Sequence, residues 1–316
     1  MLKNNAPQSQ SFLNLPVQTN WEHLDAQAVV FGAPFGKPYG KAKFPNEQSN
    51  APWALRAASD RILVEDQAID MDIDNSITLS QISVVDGGDI PIKNGDVNHH
   101  YQSIENAVRF ALRKGTMPIS IGGDDGITNP ILRGLNELGN VTIIQIDAHL
   151  DWREERFGER DGYSSPMRRA SELPHVSEIH QVGIRSLGSA RKTELSDALN
   201  WGAKIYTSRD IKRNGISSVV ESLPENGKFF ISFDVDGLDP SILPGTTALA
   251  PGGLDWWDLD ELLKGLNHKG EIIGLNVVEL APANDINQLS MIVVGRTILK
   301  VLFLAFGGQE PHQLRC

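Results

Sequence analysis

Two short stretches gather the residues best suited to chemistry. In Val141–Asp151, VTIIQIDAHLD, an apolar run ends in Asp147, His149 and Asp151, spaced by two. On extended backbone that spacing turns all three side chains to one side. Carboxylates buried together are costly unless a cation or hydrogen bonds compensate. A divalent metal is the simplest compensation; a hydrogen-bonded loop at a strand end is the alternative. In Phe229–Pro240, FFISFDVDGLDP, Asp234 and Asp236 share a face by the same period, and Asp239 before Pro240 reads as a turn residue. Alone, this second stretch fits a Mg2+ or Ca2+ loop, or a capped turn. Together the two supply four carboxylates and one imidazole, too many for one tetrahedral site and suited to two metals bridged by carboxylates.

Two further segments add acidic groups. Met117–Gly126, MPISIGGDDG, has a Gly122-Gly123 turn followed by Asp124 and Asp125, with a helix expected from Thr128. A phosphate loop is the rival reading. It is disfavoured because the Gly-Lys-Ser/Thr ending is missing and the acidic pair would repel phosphate. Glu279 ends the run IIGLNVVEL ahead of Ala281 and Pro282, where a strand-end salt bridge is its plain alternative.

The elements that must position these groups follow from the apolar runs. Buried strands are expected at Ala28–Phe31, Ile82–Val85, Met117–Ile121, Val141–Ile146, Gln181–Ile184, Lys204–Tyr206, Phe229–Phe233 and Ile272–Val278. Most are short continuous apolar runs, the pattern of strands covered on both faces. Helical periodicity lies between several of them, at Tyr101–Lys114, Thr128–Leu138 and Leu259–Leu266. Strand–helix alternation predicts an α/β fold, a three-layer α/β/α sandwich around a mainly parallel sheet. In such sheets ligands bind beyond the carboxyl ends of strands, where the acidic residues fall. No repeat or linker splits the chain. A loose arm is expected over residues 1–16 and a single domain over 17–316. Phe35–Pro52, rich in Gly, Pro, Lys and Asn, reads as a long surface loop of a length that is often functional.

Composition narrows the partners. With 40 % apolar and 22 % charged residues over 316 positions, the chain is globular in type. A formal net charge of −11 without a basic run disfavours nucleic acid and favours small cationic molecules. The single cysteine, Cys316, rules out an intrachain disulfide and fits a reducing cytoplasm. Met291–Phe306 is apolar but interrupted by Arg296 and Lys300, so a packed helix is expected and no membrane span. His99 and His100 read as solvated residues opening a helix, and Trp256 and Trp257 as packing or subunit-contact residues.

GGDDG, DAHLD, SFDVDGLDPS and VVELAP, in this order, resemble the ureohydrolase family of arginases and agmatinases, closest to the agmatinase branch. FGAPFG near the start, VVDGGDI at Val84–Ile90 and the final helix extend the likeness over nearly the whole chain. The resemblance implies an arginase-like fold, two divalent ions (Mn2+ or Ni2+) and hydrolysis of a guanidine C–N bond by a water activated between them. It implies Asp147 and Asp234 as residues shared by both metals, Asp151 on one, and His149 and Asp236 on the other. Asp151 would also accept a hydrogen bond from the attacking water, and Glu279 would pair with the guanidinium. Relatives commonly form trimers or hexamers, so a homo- or hetero-oligomer is expected.

This chain departs from the family pattern at the site. Asp125 stands where the family has His, which adds negative charge and hard oxygen ligation and favours Mn2+ or Mg2+. DGYSSPMRRA puts Tyr163 and Ser164 where relatives have His-Gly-Thr-Pro; a tyrosine donates a hydrogen bond but is a poor proton shuttle at neutral pH. Gly36 follows Phe35 where relatives often carry Asp. These changes leave open the substrate (agmatine-like, guanidine or biguanide) and a second reading, a catalytically impaired subunit supporting an active paralogue. A single-metal, deacetylase-like enzyme is a third, less suited to the paired Asp motifs.

Overall fold

The structure is a computed structural model that describes residues 11–40, 44–62, 72 and 78–307. Cys316, residues 1–10 of the expected arm and residues 41–43 of the long loop lie outside the described residues. Among the described residues the strands are β1 Ala28–Ala33, β2 Val84–Asp89, β3 Met117–Gly122, β4 Val141–Ile146, β5 Val176–Ile184, β6 Lys204–Thr207, β7 Gly227–Asp234 and β8 Gly270–Val278. They form one sheet in the order β2-β1-β3-β8-β7-β4-β5-β6 with every pairing parallel. All eight expected strands are present. β5 starts earlier than its apolar run because Val176–His180 pairs along β4.

The sheet is covered on both faces, and the alternation along each strand feeds two cores. From β7, Phe229, Ile231 and Phe233 enter one core while Phe230 enters the other. β4 does the same with Ile144 and Ile146 against Val141 and Ile143. The first core receives helices α1 Ala51–Ala58, α6 Ser208–Asn214, α7 Ser217–Glu221, α8 Trp256–Lys269 and α9 Leu289–Phe306; the second receives α2 Val97–Arg113, α3 Thr128–Gly134, α4 Pro166–Ala170 and α5 Lys192–Trp201. That is the predicted three-layer α/β/α sandwich. α9 is long and apolar enough to cross a membrane, yet 67 % of it is buried against the sheet and its neighbours.

Local chemistry sets the helix ends. α2 begins a turn earlier than the periodicity predicts because the Asp96 side chain accepts the His99 N–H at 3.1 Å and caps it. That start turns His100 inward: it is buried, edge-on to the Phe35 ring at 5.5 Å, with Nδ1 3.2 Å from the Pro91 carbonyl. Burial lowers its pKa and keeps the ring neutral, so the solvated reading of His100 is corrected; His99 is exposed. α3 ends at Gly134, short of the predicted Leu138, and the rest of the stretch runs as turns; Gly134 packs where a Cβ would meet Val108 of α2 at 2.8 Å. Residues 11–16 are not loose. Phe12, Leu13 and Leu15 are buried in the first core, and the Phe12 N–H donates to Asp86 at 2.8 Å. Asp86 in turn grips Arg56 of α1, which ties the segment to β2.

Candidate metal centre

Four neighbouring strands, β3, β8, β7 and β4, end on the same edge of the sheet, and each delivers acidic side chains there. β3 leads to Asp124 and Asp125, β8 to Glu279, β7 to Asp234 and Asp236, and β4 to Asp147, His149 and Asp151. All but His149 and Asp151 are buried. Asp147, His149 and Asp236 bring ligand atoms within 4.8 Å of one another, and so do Asp125, Asp147 and Asp151. Asp147 belongs to both groups. Asp234 belongs to neither: its Oδ1 accepts the Asp236 N–H at 2.9 Å, while its electrostatic neighbours are Asp236 and Asp147.

The backbone is bent to make this possible. Asp151 and Glu279 both adopt positive φ, 45° and 63°, a conformation that costs a residue with a Cβ. Gly237 lets the turn after β7 press against β4, since a Cβ there would lie 2.6 Å from the Asp147 nitrogen. Arg185 holds that turn from behind by donating to the carbonyls of Asp236, Gly237 and Leu238. The departure at Gly36 also has a steric reading: a Cβ there would lie 1.6 Å from the Asp124 carboxylate, which fills the space instead. Asn46 donates to that carboxylate at 2.7 Å, and Gln48 donates to Glu279 at 2.7 Å. The long loop thus reaches into the site. Glu279 also accepts the Asp125 N–H at 2.8 Å.

Beneath the acidic floor runs a second feature, which the sequence reading did not single out. Ser120, Asn276, Ser232, Gln145 and Gln181 are register partners across five strands and form a buried polar row through apolar strands. Gln181 donates to Gln145 at 2.6 Å; Gln145 donates to Asp147 at 2.6 Å and to Asp151 at 3.4 Å. At the other end Ser120 bonds Asn276, Asn276 bonds Thr128, and Thr128 donates to Asp125 at 2.5 Å. The row aims donors at three of the acidic residues. Replacing Gln145 by Leu removes the donor to Asp147 and Asp151 and is expected to weaken divalent-metal binding by about 10- to 100-fold, the usual cost of losing a group that orients ligands. Competition titration against a chelating dye measures this.

The electrostatics call for positive charge. Burial first, and then the neighbouring carboxylates, push Asp125, Asp147, Asp151 and Asp234 well above the ordinary carboxylate range. Burial and then Asp124 raise Glu279 to about 8. Burial works against charge on His149, but Asp147 and Asp236 outweigh it and push the imidazole up to about 12. His149 Nδ1 sits 3.1 Å from Asp236 Oδ2, yet alignment is poor and that oxygen is left without a hydrogen bond. Crowded carboxylates, one imidazole and an orphaned oxygen fit divalent cations.

Asp124, His149, Asp151, Asp234, Asp236 and Glu279 floor a cavity of about 470 Å³, with Asp125 and Asp147 buried beneath; its walls include Tyr163, Ser164, Arg153, Arg156, Glu194 and Thr247. Tyr163 lines it as expected, but its hydroxyl is engaged by Arg156 Nη1 at 3.2 Å, and burial raises its pKa further. Asp239 is the expected turn residue: it accepts the N–H groups of Ser241, Gly252 and Gly253. Trp256 packs against the first core, while Trp257 is exposed.

A parallel α/β/α sandwich with a carboxylate–imidazole centre at its carboxyl edge defines a class of metal-dependent enzyme architecture. The arginase-family profile matches residues 26–304, and the chain belongs to that family. It is 28 % identical to the agmatinase of Halalkalibacterium halodurans over 90 % of this chain and 93 % of that one. It is 29 % identical to the guanidinobutyrase of Pseudomonas aeruginosa over 65 % of each. Among solved structures, the agmatine ureohydrolase of Thermoplasma volcanium superposes with a TM-score of 0.76 at 26 % identity, covering 91 % of this chain and 94 % of that one.

Proposed function

We propose that this chain is a binuclear-metal amidinohydrolase, which cleaves a C–N bond of a small guanidino compound to give urea, or a urea derivative, and an amine. The observation that carries the reading is Asp147 shared between two ligand groups, whose members His149, Asp151 and Asp236 line a cavity that Glu279 also lines. The likeness to an agmatinase and a guanidinobutyrase supports the substrate class. Asp125, Asp147, His149, Asp151, Asp234 and Asp236 would hold two divalent cations, Mn2+ or Ni2+. Asp125 and Asp151 would serve one and His149 and Asp236 the other, with Asp147 and Asp234 between them. Such ions, when bound, lower the pKa of water and hold a nucleophile at neutral pH.

The residues supply the rest. Glu279 faces the planar guanidinium with a carboxylate and fixes its plane. Asp151 accepts a hydrogen bond from the attacking water, which aims the oxygen lone pair at the guanidinium carbon. Addition of water and loss of the amine move both water protons to the departing nitrogen, which leaves as the ammonium R–NH3+ and carries the positive charge away from the neutral urea; Asp151 is placed to carry those protons in turn. Tyr163, which keeps its proton, donates a hydrogen bond and moves none. A cytoplasmic, oligomeric enzyme suits this chemistry.

The test is metal content per chain together with urea release from a broad guanidine and biguanide panel. About two ions per chain and urea from at least one compound are expected. No urea from any of them at saturating Mn2+ or Ni2+ overturns the proposal. A sharper form uses Asp125→His, which removes one negative charge and supplies an imidazole. It is expected to tighten Ni2+ binding at that position by about tenfold or more. Activity rises with it only where Tyr163 does not limit the reaction.

A further inference from the structure

The rim of the cavity carries charge of the opposite sign to its floor. Two arginines line it, Arg153 and Arg156. Arg153 is neutralised by Glu194 at 3.3 Å. Arg156 has no carboxylate within 4.0 Å among the described residues. Its Nη1 donates to the Tyr163 hydroxyl, and its guanidinium lies against the rings of Tyr39 and Phe157 at 5.1 and 5.5 Å. Its Nε and Nη2 make no hydrogen bond among the described residues.

Arg156 is also held in place. Its backbone exchanges hydrogen bonds with Glu159 at 2.9 and 3.1 Å around a tight turn whose two middle residues, Phe157 and Gly158, have positive φ. Tyr39 stacks edge-on to Tyr163 at 4.5 Å, and its hydroxyl accepts the Ser164 N–H. A half-buried, unpaired cation with two free donors, fixed by a turn and two aromatic rings, is a ready anion receptor.

Resting on the amidinohydrolase reading, we infer that the substrate is dipolar: its guanidinium enters toward the acidic floor, and its tail bears a carboxylate or comparable anion that Arg156 receives. Tyr163 and Arg156 act as one unit, so the tyrosine in place of the family's His serves tail recognition. An amine tail meets Arg156 as a like charge and is disfavoured. An uncharged tail leaves its free donors without an anion.

The experiment compares ω-guanidino acids of two to four methylene groups with 4-aminobutylguanidine and n-butylguanidine, using full-length wild type, Arg156→Met and Arg156→Lys loaded with Mn2+. In wild type, kcat/KM for the best acid exceeds that for the amine by at least about tenfold, on the scale of a charge pair at a binding rim. Arg156→Met lowers the ratio of acid to butylguanidine by about tenfold; Arg156→Lys keeps part of it, having charge without the fork. The inference is overturned if the amine is handled as well as the acids, or if Arg156→Met leaves the ratio unchanged. Absence of urea from all compounds would count against the hydrolase reading alone. Calorimetric binding then decides the tail: tighter binding of the acids that vanishes in Arg156→Met upholds it, and equal binding of acid and amine sinks it.

Discussion

On the proposed two-metal reading, Asp147→Asn is expected to abolish divalent-metal binding at both positions and to lower urea release by about three orders of magnitude or more, the scale for a residue that serves a reaction through two metals. The argument is geometric. Asp125 and Asp151 form one group with Asp147, and His149 and Asp236 form the other; among the described residues no further residue lies in both groups. Asn keeps the size and one oxygen. That oxygen can still accept the His149 N–H, which bonds Asp147 at 2.5 Å, so the turn survives. The amide nitrogen then faces Gln145 Nε2, which donates to Asp147 at 2.6 Å, and donor opposes donor. One anionic ligand is gone from each cluster, while burial and repulsion among the remaining acids persist. Metal analysis of the purified variant, beside assays at saturating Mn2+, measures both effects. Retention of full metal content with wild-type turnover would show that the two groups are not coupled through this residue.

Much of this arrangement was written in the sequence, for a physical reason. Strands covered on both faces must be mainly apolar on both, so each appears as a largely apolar run, and the acidic residues that follow it mark the carboxyl edge of the sheet. Asp125, Asp147, His149, Asp151, Asp236 and Glu279 were found that way, and the structure brings them together. Asp234 was read by the same period, yet it lies beside the ligand groups and in neither of them. Its Oδ1 is engaged by the turn that it opens.

What was not legible depends on tertiary packing. Asn46 and Gln48 reach Asp124 and Glu279 from a loop whose path no periodicity encodes. Arg156 is a rim residue only because a turn at Phe157 and Gly158 folds it over Tyr39. The polar row did leave a trace: Ser120, Gln145, Ser232 and Asn276 each interrupt an apolar strand with one buried polar residue, an expense that needs a partner. Read singly they are unremarkable. Only the parallel register shows that they are neighbours and that the row points at the acids.

Glu279→Gln separates substrate recognition from metal binding. Glu279 is in neither ligand group, so metal content stays at the wild-type level while kcat/KM falls. Truncating one partner of a buried charge pair costs about 2–5 kcal/mol, which corresponds to a loss of about 30-fold to several thousand-fold. The substitution is nearly isosteric. The new amide oxygen can accept the Asp125 N–H now bonded at 2.8 Å, and Gln48 can turn its own oxygen toward the new amide nitrogen. The local shape is thus preserved, and what disappears is the negative charge facing a cationic head. The sign follows from the burial of Glu279: a carboxylate with Asp124 as its neighbour is held ionised far more readily once a guanidinium sits beside it. A guanidino substrate therefore gains most from Glu279, whereas an uncharged urea-like ligand gains little. Product-like competitors should keep their affinity in the variant while guanidino compounds lose theirs. A variant that loses metal together with activity would move Glu279 into the metal centre, and one that retains activity within about threefold would remove it from the site altogether.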